Sequence, residues 1–259
     1  MNAAKALYHR LVPEKIRNPI GLVRRDMTDR LHRLFSRRAL PPRDLLGHIQ
    51  MTPYVSEYLG VGKKSAESII AAFDRSGLPS GASVLDFGCG SGRALIHMDT
   101  RGWSLFGCDI DEDAISWSRR GLPSARFEVN KSQPPLPFAA GQFDAIFAVS
   151  VFTHFDGDEQ RAWARELRRI LKPNGVAVIS TMGPGILDNF PAHALPVNRK
   201  TLAESGFIFI PSETSFNARA VFHTAPGIAR LFSDDFELML WEEQGLDGFQ
   251  DLSILRVRA

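Results

Sequence analysis

Ten residues, Val84-Leu85-Asp86-Phe87-Gly88-Cys89-Gly90-Ser91-Gly92-Arg93, constrain this chain more than any others. Ser83 to Phe87 is a short apolar run with one acid near its end, preceded by Leu78-Pro79-Ser80-Gly81. It reads as a buried parallel strand. Three glycines at alternate positions follow, and Ala94 to Met98 opens a helical pattern. A strand, a glycine turn and a helix in that order aim backbone N–H groups at a ligand lying across the turn.

Two details narrow the ligand. A dinucleotide loop needs a third glycine where this chain has Arg93, and a phosphate-cradling loop needs a Gly-Lys-Ser/Thr ending that is absent. Asp86 at the strand end would repel a pyrophosphate and attract a cation, which suits a ligand carrying an ammonium and a sulfonium but no phosphate. A second acid agrees. The run Trp103 to Cys108 reads as the next strand and ends at Asp109, 21 residues past Gly88. At that spacing a carboxylate leaves the neighbouring strand and accepts the hydroxyls of a ribose.

The segments VLDFGCGSGR, GCDIDEDAI, FDAIFAVSVFTHF and ELRRILKPNGVAVIST resemble, in order, the successive motifs of class I S-adenosylmethionine-dependent methyltransferases. The resemblance is close over residues 80–182 and looser to the end, where FHTAPGIARLF and GFQDLSILRV resemble the closing helix and strand pair of a bacterial small-molecule and saccharide subgroup. It implies a Rossmann-like α/β fold, a seven-stranded mostly parallel sheet with an antiparallel last strand and helices on both faces. It implies S-adenosylmethionine as cofactor, S-adenosylhomocysteine as product, and no metal. By resemblance Asp86 and the backbone of Gly88, Gly90 and Gly92 cradle the methionine end, and Asp109 holds the ribose. Cys89, Arg93, Ile110 and Asn130 complete the expected set, with Asn130 on the adenine and Val149 and Ser150 under the methionine.

Composition is ordinary for a globular protein, 44% hydrophobic and 23% charged. The two cysteines, Cys89 and Cys108, sit inside the turns of the fold and read as reduced packing residues. They lack the histidine partners of a zinc site. A charged N-terminus without an apolar h-region reads as cytoplasmic.

The net charge of +2 hides an asymmetry. Residues 1–43 hold 11 Lys and Arg against 3 acids, a surplus of 8 that leaves the rest at −6. Residues 1–50 therefore read as a basic helical arm and 51–259 as the methyltransferase domain. Within the arm Leu7, Leu11 and Val12 precede Pro13, and Ile20, Val23, Met27, Leu31, Leu34 and Phe35 recur at helical spacing with arginines on the other face. Two readings stand: a basic helix lying on an anionic membrane, or an arm packed over the cofactor cleft or on a second subunit.

Further along, Thr52 to Gly62 reads as a short helix broken at Gly60 and Gly62, and Ser65 to Arg75 as a separate helix. Helices are expected at 112–120, 160–171, 199–205 and 225–232, and strands at 125–129, 143–149, 176–181 and 206–211. Residues 237–241 and 252–257 form the closing antiparallel pair. This alternation gives a parallel sheet with right-handed crossovers. Residues 183–218 interrupt it. Ligands bind outside the carboxyl ends of such strands, so the insertion reads as lying over the acceptor site.

Methyl transfer from a sulfonium is an in-line displacement, and a hydroxyl acceptor must lose a proton. His154, after the fourth strand, is the first candidate base. The competing reading is a buried ring bonded at a helix start. His223 is the second, against a capping role for Phe222-His223-Thr224; His193, Glu213 and Asp156 rank lower. Gln250 and Asp251 read as structural parts of the last strand. The resemblance to the bacterial small-molecule and saccharide subgroup implies a small-molecule acceptor, a hydroxyl of a sugar, glycolipid or related metabolite. Two alternatives are an N-methyltransferase of a small molecule or nucleic acid, and a non-catalytic cofactor-binding module. Nucleic acid is disfavoured because Ser150-Val151-Phe152-Thr153 is not an Asn/Asp-Pro-Pro-Tyr/Phe segment.

Overall fold

Short apolar runs separated by helical segments cannot turn back on themselves as hairpins, so they pair in parallel with both faces covered. A computed structural model of the chain describes residues 19–36, 39–50, 53–98, 102–189, 199–213 and 218–258. Strand β1 (Ser83–Phe87) lies at the centre, with β2 (Ser104–Asp109) on one side and β4 (Phe143–Ala148) on the other, both parallel to it. β3 (Ala125–Val129) flanks β2, and β5 (Leu171–Thr181) flanks β4. The last strand, β9 (Gln250–Val257), runs antiparallel to β5 and is bordered by β8 (Phe236–Leu246). The sheet is seven-stranded, in the order β3-β2-β1-β4-β5-β9-β8. This is the fold class read from the sequence.

One face of the sheet, with Leu85, Ile146, Ala177, Ile179 and Leu255, packs on α5 (Gly157–Ile170) through Trp163, Leu167 and Ile170. Ile228 and Phe232 of the α7 (Ala225–Leu231) region complete that core. Each such side chain, fully buried, contributes roughly 1.5–3 kcal/mol. Asp156 starts α5 with a capping box: its carboxylate accepts from the Asp158 and Glu159 amides, and Glu159 accepts from Asp156 N–H in return. On the other face Phe73 meets Phe147 edge-on, with centroids 6.2 Å apart.

Two helix expectations are corrected. Thr52–Gly62 and Ser65–Arg75 are not separate pieces; one helix, α3, runs from Val55 to Arg75 straight through both glycines. A glycine costs a helix roughly 1 kcal/mol, and tertiary packing outweighs that cost at Gly62. A Cβ there would strike the carbonyl oxygen of Arg93, so the missing side chain lets α3 pass close beneath the glycine loop. The pattern after the loop is a single 3₁₀ turn, Leu95–His97, rather than an α-helix. The turn itself uses Gly88 to Ala94, leaving little chain before β2 starts at Ser104. The crossover helix α4 (Glu112–Gly121) forms as expected, capped by Asp111.

The insertion holds a 3₁₀ turn (Pro184–Asn189), α6 (Arg199–Ser205) and β6 (Phe207–Ile210), which pairs antiparallel with β7 (Ala220–His223) just past the insertion's end. β7 was not foreseen. Its Phe222 joins Ile186, Leu187 and Leu202 in a small core, and His223 N–H donates to the Met182 carbonyl at 2.8 Å. His193 lies outside the described residues, as do Leu7, Leu11 and Val12.

The chain divides into two units, residues 1–60 and 61–259. In the first, α1 (Pro19–Phe35) and α2 (Arg43–Gln50) are held by Asp29, which has no exposed surface. Its carboxylate accepts from Val55 N–H at 2.8 Å and from Arg33 Nε and Arg43 Nε, each at 3.0 Å. These partners hold its pKa below the usual range against burial, which pushes the other way. Among the described residues no helix is long and apolar enough to cross a membrane.

Candidate functional site

The glycine loop closes because three glycines take a left-handed backbone, with φ of 76° at Gly88, 52° at Gly90 and 71° at Gly92. Only glycine fits at Gly88, where Val151 from the loop after β4 packs against its Cα. The loop's amides are used differently from the sequence expectation. Gly88 and Cys89 N–H donate to the Cys108 carbonyl (2.8 and 3.0 Å), Gly92 N–H to the Cys89 carbonyl, and Gly90 N–H to Asp109 Oδ2 (2.7 Å). The loop therefore offers a shaped floor and two carboxylates, not a row of open donors.

The carboxylates give the site its character. Asp86 is 3% exposed, and burial pushes its pKa well up; the charge of Asp109 adds to the shift and Arg93 opposes it. Asp109 is raised by burial too, against the amides of Asp111 and Gly90 that its oxygens accept. Two acids that each resist ionising, with one guanidinium near them, form a place where a cationic ligand would be stabilised. Cys89 and Cys108 are buried and free, and burial beside Asp86 and Asp109 keeps both thiols protonated.

The remaining expected residues lie along the same carboxyl edge. Ile110, 54% exposed, follows Asp109 and presents apolar surface suited to a flat ring. Asn130 follows the last residue of β3; its Nδ2 donates to the Lys131 carbonyl at 2.8 Å, while its buried Oδ1 has no hydrogen-bond partner. A buried orphan acceptor is costly unless something donates to it, and the exocyclic amine of adenine is such a donor. The charge, the apolar surface and the open acceptor together fit S-adenosylmethionine.

After β4, Ser150 adopts φ 60°, strained for a side-chain-bearing residue. Its N–H donates to Ser180 Oγ (2.8 Å), and its hydroxyl meets the Gln250 amide, with Nε2 at 2.9 Å. Ser180 Oγ donates to Gln250 Oε1 at 2.7 Å. Thr153 Oγ1 donates to the Ser150 carbonyl. Gln250 and Ser180 thus hold the turn on which Ser150 and Val151 sit, a role that the sequence reading had left as generic sheet structure.

His154 Nδ1 lies 3.1 Å from the Arg219 carbonyl. A carbonyl only accepts, so Nδ1 carries the hydrogen and Nε2 the lone pair of the neutral ring. Burial lowers the His154 pKa, as does the charge of Arg219, while the bond to the Arg219 carbonyl raises it. Arg219 is itself held by Glu159 at 2.9 Å. His223 is elsewhere: it is fully buried, and its Nε2 faces Gln160 Oε1 at 3.0 Å. Gln160 donates to the Phe152 and Phe155 carbonyls, which fixes its amide and makes His223 Nε2 the hydrogen-bearing nitrogen. Burial drives the His223 pKa down to about 3, so this ring stays neutral.

One group read from the sequence only as a structural part of the last strand lies at this edge. Asp251 is 1% exposed; Oδ1 accepts from Gln244 N–H at 2.9 Å, and Oδ2 is buried without a partner against Gly183, where a Cβ would have no room. Burial and then Glu243 raise its pKa to about 6. The signal was topological: an antiparallel last strand must begin at the carboxyl edge, where the site is.

The family described as a methyltransferase domain matches residues 84–175. The chain is 35% identical over 127 residues to the biotin biosynthesis bifunctional protein BioHC of Cellvibrio japonicus, covering 49% of this chain and 24% of that protein. It is 32% identical over 129 residues to the dTDP-3-amino-3,4,6-trideoxy-alpha-D-glucopyranose N,N-dimethyltransferase of Streptomyces venezuelae, covering 47% and 52%. The chain thus spans about a quarter of the first relative's length and about half of the second's. A solved S-adenosylmethionine-dependent methyltransferase from Methanosarcina mazei shares the fold, with a TM-score of 0.52, 22% identity, and 73% of this chain and 95% of that one covered. Sheet order, glycine loop, paired acids and family match agree: residues 84–175 match a methyltransferase domain, and the chain has the fold of the S-adenosylmethionine-dependent methyltransferases.

Proposed function

We propose that this protein methylates a hydroxyl of a small acceptor, a sugar, a glycolipid or a related metabolite, with His154 taking the hydroxyl proton. When bound, S-adenosylmethionine supplies an electrophilic methyl group on a sulfonium. Asp86 and Asp109 set two carboxyl groups on the floor of the site, which a cation would help to ionise, Asn130 Oδ1 offers an acceptor, and the Ser150–Gln250–Ser180 network holds the turn beside them. Preorganised groups of this kind act mainly by positioning. The observation that carries the hydroxyl reading is the His154 tautomer. The Arg219 carbonyl pins Nδ1–H, so Nε2 is the basic atom, and a pKa held low keeps the ring in its base form near neutrality.

A second reading rests on the Streptomyces relative, whose name places its methyl groups on the nitrogen of an amino sugar nucleotide. An amine loses its proton to water once its pKa is passed and does not need His154. Turnover of labelled methyl donor with hydroxyl and amino sugar acceptors, in wild type and His154→Gln, separates the two. A loss of about a hundredfold or more with hydroxyl acceptors supports the first. Amine turnover that survives the substitution, with none on hydroxyls, replaces it with the second. No transfer to any acceptor leaves a cofactor-binding module.

A further inference from the structure

We propose that α1 seats the protein on an anionic lipid surface through Met27, Leu31, Leu34 and Phe35. Among the described residues eight large apolar side chains are exposed, and half of them are these four, at 63%, 49%, 74% and 75%. At a hundred degrees per residue they share one face of the helix, and the same spacing runs back in the sequence to Ile20 and Val23.

A helix of a globular protein normally turns its apolar stripe inward. α1 is anchored the other way round. Asp29, on its opposite side, is the buried residue, bonded to Val55 N–H and to the guanidinium groups of Arg33 and Arg43. Arg25 pairs with Glu57 at 2.8 Å. The charged face is thus committed to partners inside residues 1–60, and that commitment holds the apolar face outward. A groove of about 430 Å³ deepens this face, lined by Thr28, Leu31, His32, Phe35, Ser36 and Leu59.

Charge selects the occupant. Residues 1–43 carry a surplus of 8 positive charges while the rest of the chain is at −6, and Arg30 and His32 are exposed beside the apolar stripe. A second copy would set like charge against like. An anionic lipid surface supplies both the apolar phase and the counter-charge, and long basic side chains reach back to its headgroups. The acidic remainder would be repelled by the same surface, so attachment is confined to α1.

The test is co-sedimentation of the full chain with vesicles of pure phosphatidylcholine and of phosphatidylcholine containing a third phosphatidylglycerol, at low and at half-molar salt. Binding should favour the anionic vesicles by at least about tenfold and weaken with salt. Leu31→Glu with Leu34→Glu should lose binding to both vesicle types, with circular dichroism and S-adenosylmethionine affinity unchanged. Arg30→Glu should weaken only the anionic preference. The proposal is overturned if the wild type stays in the supernatant, or if it binds both vesicles equally. A concentration-dependent dimer that the double substitution abolishes would also overturn it, by making the face a contact between copies.

Discussion

The two ends of the sheet treat the same residue types in opposite ways. At the amino end, Asp144 is surrounded by partners: both its oxygens lie 2.8 Å from Lys172 Nζ, and Oδ2 also accepts from Ser83 N–H and Ser83 Oγ. These bonds hold its pKa low against burial. Glu166, nearby on α5, accepts from Leu136 N–H and from Arg169. At the carboxyl end, Asp86, Asp109 and Asp251 are all raised, and buried atoms of Asn130, Thr181 and Asp251 have no partner. A carboxylate that is fully paired fastens strands together. One left short of partners costs stability unless a ligand completes it. The comparison agrees with the working edge that the glycine loop and Asp109 mark.

The strongest way to break the comparison is Asp109→Ala. It removes negative charge and frees the amides of Gly90 and Asp111, so both ligand and loop lose a partner. S-adenosylmethionine affinity measured by calorimetry should fall about a hundredfold, or ~2.7 kcal/mol. A change of less than threefold would mean that the acid serves the loop and not the ligand. The amino-end counterpart, Asp144→Ala, should do the reverse. It strands Ser83 N–H and Lys172, costing about 2 kcal/mol in urea unfolding; more is not expected because Lys172 is 44% exposed in its side chain. Cofactor affinity should stay within about twofold, since β1 separates the sites by roughly 13 Å.

How much of this could be read in the chain follows from the range of each interaction. β1, the glycine loop and Asp109 were legible because they depend on neighbours: an apolar run, three positive φ angles, an acid one strand on. The capping box at Asp156 and Glu159 is just as local, yet the sequence reading started that helix at Gln160 and ranked Asp156 as a lesser base candidate. The rest of what was missed depends on distant partners. Ser150 meets Gln250 across 100 positions. Gly62 looked like a helix breaker because Arg93, which it must clear, is a long way off in sequence. The loop's amides looked open because nothing in the motif says that the Cys108 carbonyl takes two of them. His223 looked like a base because burial is not written in the Phe-His-Thr triplet.

A smaller effect sharpens the contrast by setting stability against binding at one residue. In Asp86→Asn the buried group no longer ionises. The folded pKa of Asp86 is raised above its unfolded value, so its contribution is favourable at low pH and is lost as pH rises through the folded pKa. The variant should therefore melt above wild type at pH 8 and level with it at pH 3, followed by thermal unfolding. S-adenosylmethionine affinity should drop about tenfold, or ~1.4 kcal/mol. Higher stability with lower affinity is what a site held ready for a cation requires. If both fall together, Asp86 belongs with Asp144 as a fastening group.

Asp251→Asn probes the same logic where no cofactor contact is expected, and its effect is the smallest. The wild-type carboxyl is raised to about 6 from an unfolded value of 3.8. Below pH 3.8 both states are protonated and the residue costs nothing. Between 3.8 and 6 the folded form holds its proton longer than the unfolded form, so stability declines as pH rises, and above 6 the loss is complete. The shift corresponds to ~3 kcal/mol as an upper bound. Because Glu243 shares the shift and Oδ1 keeps its bond to Gln244 N–H, about 1 kcal/mol is the expected gain for the asparagine at pH 8, with none at pH 3.5. A pH-independent difference would place the Asp251 charge in contact with a partner it now lacks. If the variant gains stability yet loses methyl transfer with cofactor affinity intact, Oδ2 faces the acceptor, and the polar edge continues past Ser150 to the start of β9.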